Sequence, residues 1–290
     1  MEELIMPNTL TERYSNLVDA KLRSTLVTQD NYIFNTNHEG SAAAGAVKIP
    51  VRDTEVEVKS YDKANGAALS SGATSYITML MSNDEAVNEL IDGYDAAALP
   101  DDVVAERLAS AGYTLGLSMD KKSIAALETT EGVTVCDVTT ASTQTDAYGH
   151  IAKARTVLSR MGVPTSGRWL IASPEFMEVI MQDEKFIRQG DLSQELLEAG
   201  AVGKIAGFSV FESSNLMYKD TEFEEGSTVT TEFICGHPNW CHRVQEWAVP
   251  VGVNPISDGV HIGASAVQGR KVYNVLISKP ETVYVKRIEE

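Results

Sequence analysis

A short N-terminal segment limits the folds open to this chain, because its strand pattern lacks a core of its own. Apolar residues alternate with polar ones in two runs, Val47, Ile49 and Val51, then Val56 and Val58. This alternation predicts strands, and Asn65-Gly66 is a turn signal between them and the Gly/Ser/Ala-rich stretch 67–74. A two-stranded ribbon with two or three apolar residues per face cannot be stable alone. It therefore needs its own domain, as an edge hairpin, or another subunit, and the pattern leaves both open.

A helix is predicted before this segment, from about Leu10 to Leu26. Thr9 and Glu12 have the spacing of a capping box. The apolar residues that follow share one helical face: Leu10, Tyr14, Leu17, Val18 and Leu22. The helix precedes any sign of a compact domain, which is compatible with an arm that packs on a neighbouring subunit.

A second, longer helix is predicted from the Pro100-Asp101-Asp102 start to about Glu128. Its apolar stripe consists of Val104, Leu108, Ala111, Leu115 and Met119. Residues 81–131 hold 11 acidic and 3 basic residues, a net charge of −8. This charge indicates either a solvated face or a face turned toward an anionic partner that must not adhere.

The rest of the chain mixes helices and strands without regular βαβ alternation, so the predicted fold class is α+β. Helices are predicted from Ala147 to Met161, ended by Gly162, and from the Ser173-Pro174 start. The predicted strands are 74–82, 168–172, 208–212, 230–234, 243–249, 270–278 and 282–288. Residues 220–225 are predicted to form an acidic loop.

The charge and composition exclude several classes of protein. A net charge of −17 is unsuited to gripping nucleic acid, since phosphate contacts need clustered Lys and Arg. No apolar run is long enough to cross a bilayer, and the acidic N-terminus lacks the features of a signal peptide. We therefore expect a protein folded in a cytoplasm, with no membrane partner.

Two clusters resemble chemical sites, and neither fits its site well. Gly200, Gly203 and Gly207 precede a predicted strand, whereas phosphate loops lie between a strand and a helix, so a glycine turn is favoured. Cys235, His237, Cys241 and His242 resemble a zinc cluster, but five residues separate the two cysteines and no second pair exists. A strand–turn–strand with buried thiols is the favoured alternative to zinc. We predict no catalytic residue, cofactor or metal, and no enzyme activity.

Three motifs in order resemble the central part of the major capsid proteins of tailed double-stranded DNA phages. They are Val163-Pro-Thr-Ser-Gly-Arg-Trp-Leu170, Ser173-Pro-Glu-Phe176 and Gly203-Lys-Ile-Ala-Gly-Phe-Ser-Val-Phe-Glu-Ser-Ser-Asn215. The C-terminal Val272-Tyr273 and Lys279–Val283 are also similar to the closing strands of that family.

This resemblance implies the Hong Kong-type capsid fold. Its parts would be an N-terminal arm (1–33), an extended E-loop hairpin (34–78), a peripheral domain with a long spine helix (79–138 plus 256–290) and an axial domain (139–255). The spine helix would face the lumen. The residues expected to contact other subunits are Leu10, Tyr14, Leu17, Val47, Ile49, Val51, Val56 and Val58.

The function implied is that of a structural protein of the virion capsid. Its copies would form pentamers and hexamers that close into an icosahedral shell, assembled in the host cytoplasm around double-stranded DNA without specific binding. A separate scaffolding protein, a portal and decoration proteins are expected partners, because no long N-terminal extension resembles a fused scaffold. An encapsulin-like cargo compartment and, from another class, a soluble binding protein or hydrolase remain the alternatives.

Overall fold

The computed structural model describes residues 23–28, 31–36, 45–51, 55–72, 74–93, 103–182, 201–218, 222–224, 227–257 and 259–289. These ranges contain the helices α1 (Val103–Thr129), α2 (Ala147–Arg160) and α3 (Pro174–Gln182). They also contain the strands β1 (Ala46–Val51), β2 (Ser75–Leu80), β3 (Asn83–Ile91), β4 (Thr134–Val135), β5 (Trp169–Ala172), β6 (Ala201–Ile205), β7 (Phe208–Glu212), β8 (Glu222–Glu224), β9 (Ser227–Gly236), β10 (Cys241–Pro255), β11 (Ser265–Ile277) and β12 (Tyr284–Glu289). The predicted α+β class is confirmed.

A seven-stranded sheet organises one half of the molecule, in the order β4-β12-β9-β5-β7-β6 with β8 added on β9. Strand β5 lies between parallel β7 and antiparallel β9, and all four of its residues are buried. Four consecutive apolar residues are typical of a strand that is covered on both faces.

Helices α2 and α3 cover one face of this sheet. Four α2 residues recur at intervals of three and four and are fully buried: Ala147, Ile151, Ala154 and Leu158. They pack with Phe176 and Ile180 of α3 against Leu170 and other sheet residues. The predicted start of α3 is confirmed, since Ser173 Oγ accepts a hydrogen bond from Phe176 N at 3.2 Å and Pro174 is the first helical residue.

The opposite face is covered by the end of α1 and by residues 23–36. Ile124 and Leu127 of α1 share a buried cluster with Trp169 and Ile171 of β5, and Ile33 and Phe34 complete it. Residues 10–22 of the predicted N-terminal helix lie outside the described ranges. Residues 23–26 are not helical, so the helix does not extend to Leu26.

Helix α1 also packs on a second sheet, of order β10-β11-β3. The long helix predicted from the sequence is thereby confirmed. Its 27 residues span about 40 Å. Ala111, Leu115 and Met119 of the predicted stripe are buried, while Val104 and Leu108 pack against the cluster of Ile91 and Val267. Within the described ranges, no helix combines the length and apolarity needed to span a membrane.

The two-stranded ribbon pairs differently from the prediction. Strand β1 pairs with β2, with Val47 opposite Met79 and Ile49 opposite Ile77, whereas residues 55–60 form no strand. Ile49 and Met79 pack on Val244 of β10, so the base of the ribbon has a core within its own chain. The prediction of a strand at Val56–Val58 is wrong because β2 supplies the apolar face that β1 needs.

A tight hairpin joins β6 to β7 and confirms the predicted glycine turn. Ala206 has φ +48° and Gly207 has φ +89°, as the two-residue hairpin with the twist of the strands requires. The predicted acidic loop at 220–225, in contrast, contains the short strand β8.

Candidate assembly surface

The suspected zinc cluster is divided between the two faces of the central sheet. Cys235 belongs to the core under α2 and α3, and Cys241 belongs to the core on the opposite face. Burial raises the pKa of both thiols, that of Cys241 to about 12. Among the residues that the structure describes, no group of three or more His, Cys, Asp or Glu side chains could hold a metal ion.

The two histidines of this cluster have structural partners. His237 Nε2 lies 3.0 Å from Ser166 O, and its Nδ1 accepts a hydrogen bond from Asn239 N at 3.2 Å. Burial lowers the pKa of His237, which favours the neutral ring that can accept this bond. His242 Nε2 lies 3.0 Å from Ser278 Oγ. The residues therefore form a capped turn between β9 and β10.

The predicted subunit-contact residues that the structure describes occupy two different environments. Leu10, Tyr14 and Leu17 lie outside the described residues. Within the ribbon, Ile49 is only 1% exposed, and Val47 and Val51 are half-buried. Val56 and Val58 are 87% and 100% exposed. The structure thus separates a ribbon base, which is covered by its own chain, from an uncovered segment beyond it.

This uncovered part, residues 55–72, is called the tip segment. Its turn is closed by two backbone hydrogen bonds between Asp62 and Gly66, at 2.8 and 3.2 Å, and Asp62 Oδ1 also accepts from Ala64 N at 2.9 Å. Gly66 has φ +72°, a conformation that glycine adopts without strain. These short-range bonds order the turn without burying Val56 or Val58.

The sequence did not mark two further apolar side chains of the tip segment, Tyr61 and Leu69, both of which are largely exposed. Single exposed apolar residues are normal on a protein surface, but four within one segment make that segment a candidate binding surface. Each of the two lies alone among polar or small residues, so no periodicity could have revealed them.

A second exposed apolar loop joins β10 to β11. Val260 and Ile262 are exposed there, Ile262 to 95%. The loop is held at its base, because Ile256 N donates to Ala264 O at 3.0 Å and a Cβ at Gly93 would collide with the carbonyl of Gly263. Two exposed apolar side chains therefore lie beyond a base that is hydrogen-bonded and closely packed.

Several acidic residues next to α1 form ion pairs and hydrogen bonds within the chain, instead of only facing solvent. Glu85 of β3 lies 2.6 Å from Lys122 Nζ and accepts hydrogen bonds from Ser118 and Tyr273 at 2.9 and 3.0 Å. Arg107 forms an ion pair of 2.6 Å with Glu89. Much of the acidity near α1 therefore stabilises the contact between helix and sheet.

Two further acidic residues of α1 are buried and bind other parts of the chain. Asp120 accepts hydrogen bonds from Thr28 N at 2.8 Å and Asn215 Nδ2 at 2.7 Å. Glu128 accepts one from Met217 N at 3.0 Å, and burial raises its pKa to about 7. Sequence could not distinguish these two from the exposed acids of the same helix.

Solved structures match this fold over nearly its whole length. A structure of Mycobacterium phage Che8 aligns over 97% of this chain and 98% of its own, with a TM-score of 0.69 and 19% identity. The mature capsid of bacteriophage PhiM1 aligns over 97% and 92%, with a TM-score of 0.66 and 15% identity. The capsid of the cyanophage P-SCSP1u aligns over 95% and 92%, with a TM-score of 0.70 and 14% identity.

These likenesses show that the chain has the fold of phage capsid structures. The resemblance to the major capsid proteins of tailed phages, drawn from the motifs at 163–176 and 203–215, is thereby confirmed at the level of the fold. No protein-family model matches the chain. No curated protein matches it either.

Proposed function

We propose that this chain is a major capsid protein, a structural and non-enzymatic subunit of a phage virion. Its copies would assemble as pentamers and hexamers into an icosahedral shell that encloses double-stranded DNA. The observation that carries the proposal is the tip segment, which exposes apolar side chains beyond a ribbon anchored on a capsid fold.

The tip segment needs a partner because the chain itself does not cover it. Val56, Val58, Tyr61 and Leu69 together expose apolar surface that a second copy would remove from water. In a symmetric assembly every copy both offers and receives such a segment, so each subunit is covered in turn.

The division of the chain follows the resemblance. Residues 1–33 would form the arm, 34–78 the E-loop, 79–138 with 256–290 the peripheral domain, and 139–255 the axial domain. The burial of Ile33 and the pairing of β1 with β2 support an anchored base for the first two parts. The pairing of β10 with β11 would connect the last two domains.

The charge supports enclosure of DNA rather than binding of it. A subunit of net charge −17 has few basic side chains with which to release the counterions of a duplex. Packaged DNA would be held by confinement and its own cations. A separate scaffolding protein, a portal and decoration proteins would complete a virion assembled in the host cytoplasm.

Electron microscopy of the purified full chain, with light scattering at increasing concentration, tests the proposal. We expect capsomers or closed shells, and only smaller particles from a variant whose residues 55–72 are replaced by a short Gly/Ser linker. A parent chain that stays monomeric throughout would contradict the proposal. The ratio of nucleic acid to protein in shells isolated from cells would separate a DNA container from a protein-cargo compartment.

A further inference from the structure

Lys271 of β11 is buried without a carboxylate partner. Lys271 is only 8% exposed, and its Nζ lies 4.8 Å from the centre of the Trp247 ring. Glu85 is opposite Lys271 in the sheet, but the Glu85 carboxylate is occupied by Lys122, Ser118 and Tyr273. Within the described ranges, no ion pair joins Lys271 to an acid.

This environment is unfavourable for the charged amine. Burial, with the nearby positive charge of Arg243 acting in the same direction, lowers the pKa of Lys271 to about 8. A buried cation is normally paired, because removal from water is costly unless an opposite charge compensates it. An anion that entered this site would therefore gain an electrostatic partner that is already in place.

A cavity of about 280 Å³ gives access to Lys271 between α1 and β10. It is lined by Gly112, Gly116, Met119, Gln245, Trp247 and Lys271. A Cβ added at Gly112 would meet no atom within 4 Å, so the side of the cavity formed by α1 borders open space. The space is sufficient for the end of one side chain and its carboxylate.

The cavity adjoins the edge of the three-stranded sheet. Strand β10 pairs with β11 on one side, and on its other side the described chain supplies only the bridge from Asn35 to His242. Beyond the cavity, Val249 and Val253 of β10 are partly exposed. An extended segment that lies along this edge would cover apolar side chains and place one residue in the cavity.

The tip segment has the complementary chemistry. Its first four residues, Glu55-Val56-Glu57-Val58, are exposed and lie outside every strand of the described ranges, and they alternate carboxylates with apolar side chains. Glu57 has only an exposed ion pair with Lys59 at 3.6 Å, which is weak and easily exchanged. In its own chain the tip segment contributes no residue to the lining of this cavity, so the tip segment that docks there would come from a second copy.

We propose that residues 55–58 of one copy dock beside β10 of another, with a carboxylate of Glu55 or Glu57 entering the cavity and pairing with Lys271. This inference rests on the proposed function, for which it names the receptor of the tip segment. The valines of the docked segment then cover the apolar edge of β10, and the carboxylate supplies the charge that Lys271 lacks.

Carbodiimide coupling between carboxylates and amines at contact distance tests the docking directly. The full chain is prepared in two isotopic forms and mixed, and cross-linked peptides are identified by mass spectrometry. We expect a peptide that joins residue 55 or 57 to Lys271 across two copies. It should be lost in a Glu55→Gln/Glu57→Gln variant and kept in the control Glu178→Gln, another exposed acid.

Amine labelling of Lys271 gives a second measurement that does not depend on cross-linking. A carboxylate partner that raises the pKa of Lys271 by one unit lowers its reactive neutral fraction about tenfold. We expect labelling of Lys271 to fall by about this factor on assembly, while labelling of the exposed Lys121 of α1 stays nearly constant. The two substituted glutamates are exposed, so the variant tests docking without disturbing the fold.

The outcomes separate the docking from the shell. Shells that form without the cross-link, with Lys271 fully reactive, would overturn the docking and leave the proposed function standing. Small cross-linked oligomers that never close would support the docking and contradict the shell. Absence of both assembly and cross-link would refute both proposals.

Discussion

Buried carboxylates decide how the N-terminal residues and the loop after β7 are held on α1. Asp120 accepts hydrogen bonds from Thr28 N and the Asn215 side-chain amide, and Glu128 accepts one from Met217 N, so two acids of one helix provide acceptors for donors of these segments. Such bonds are costly to lose because the remaining donors would be buried without acceptors.

The raised pKa of Glu128 makes stability depend on pH. The folded state keeps a proton with a pKa of about 7, above the ordinary value of 4.5, so the stability linked to this group is full below the ordinary pKa and is lost as pH rises through about 7. A Glu128→Gln variant keeps an oxygen acceptor for Met217 N without this loss. We expect it to exceed the parent in stability at pH 8, by at most about 3 kcal/mol, and to approach it at pH 5.

Urea unfolding of parent and variant between pH 5 and 8 measures this difference. The control Glu131→Gln, at an exposed position just beyond α1, should show no such pH dependence. A gap between parent and Glu128→Gln that widens toward acid would refute the assignment.

Lys286 holds the connection between α1 and α2. Its Nζ is fully buried and donates to Val138 O at 2.8 Å and Thr140 O at 2.7 Å, and it lies 3.5 Å from Glu232 Oε2. Lys286→Met would leave Glu232 as a buried charge without its cation. We expect a loss of about 3–5 kcal/mol in unfolding free energy, measured by denaturant titration.

A substitution of Glu232, the partner of Lys286, separates the effect of the uncompensated charge from the effect of lost packing. Adding Glu232→Gln to Lys286→Met should recover part of the loss, because the uncompensated carboxylate is gone. The exposed pair of Lys153 and Asp137, at 2.9 Å, provides the control, since Lys153→Met should change stability by less than about 1 kcal/mol. Equal effects at both lysines would contradict the role given to Lys286.

At the scale of elements, the β6–β7 hairpin contains a residue poorly suited to its conformation. Ala206 has φ +48°, where asparagine is better tolerated. Ala206→Asn should therefore raise the melting temperature, by an amount that corresponds to about 0.5–1 kcal/mol. Ala206→Val should lower it, because a branched side chain is strained at positive φ. The reverse order in thermal unfolding would show that the turn has another geometry.

The ribbon divides into a base that belongs to the fold and a tip segment that does not. Replacing residues 55–72 by a short linker should leave the melting temperature within about 2 °C, since no buried apolar contact is lost. Deleting 42–72 should destabilise the chain, because β2 would lose β1 and Met79 would lose Ile49. Thermal unfolding and light scattering of both variants check this, and equal melting temperatures would contradict the anchored base.

Local patterns predicted most elements because the deciding signals lie within each element. The stripe of α1, the Ser173-Pro174 cap and the run Trp169–Ala172 each identify their own structure. The pairing of β1 was missed because its partner begins 24 residues after β1 ends, and residues 55–58 alternate equally well. Alternation shows that a strand needs a partner and does not identify the partner.

At the scale of the whole molecule, the charge of −17 should control assembly. Copies in a shell repel one another, and the range of this repulsion shortens from about 30 Å at 0.01 M salt to about 8 Å at physiological ionic strength. We expect assembly to weaken as salt is removed, measured by light scattering across a salt series. Assembly that increases steadily as salt is removed would show that contacts between opposite charges outweigh the net repulsion.

The same acidity should make the isolated subunit a weak ligand for duplex DNA. Few basic side chains are free to release the counterions of the duplex, so even low salt should yield little binding in a titration. Tight, salt-sensitive binding would reveal a basic patch that the net charge conceals.

The candidate assembly surface could be predicted only in part. The alternation of residues 55–58 drew attention to Val56 and Val58, which the structure shows to be exposed, whereas Tyr61 and Leu69 each stand alone in sequence. The cavity at Lys271 was not predictable, since its walls come from three separate elements, α1, β10 and β11, and include residues as distant in sequence as Gly112 and Lys271. Only the folded chain shows that Lys271 is buried and that Glu85 is already paired elsewhere.

Helix α1 contacts both sheets, and this has a mechanical consequence. Val104 and Leu108 pack on the three-stranded sheet at one end, and Ile124 and Leu127 pack on the central sheet at the other. The two sheets cannot tilt against each other unless this helix bends or slides out of one core. In a closed shell, the outward pressure of a confined polymer would be carried along α1 as tension. The stiffness of the wall would then depend on how tightly each end of α1 is packed in its core.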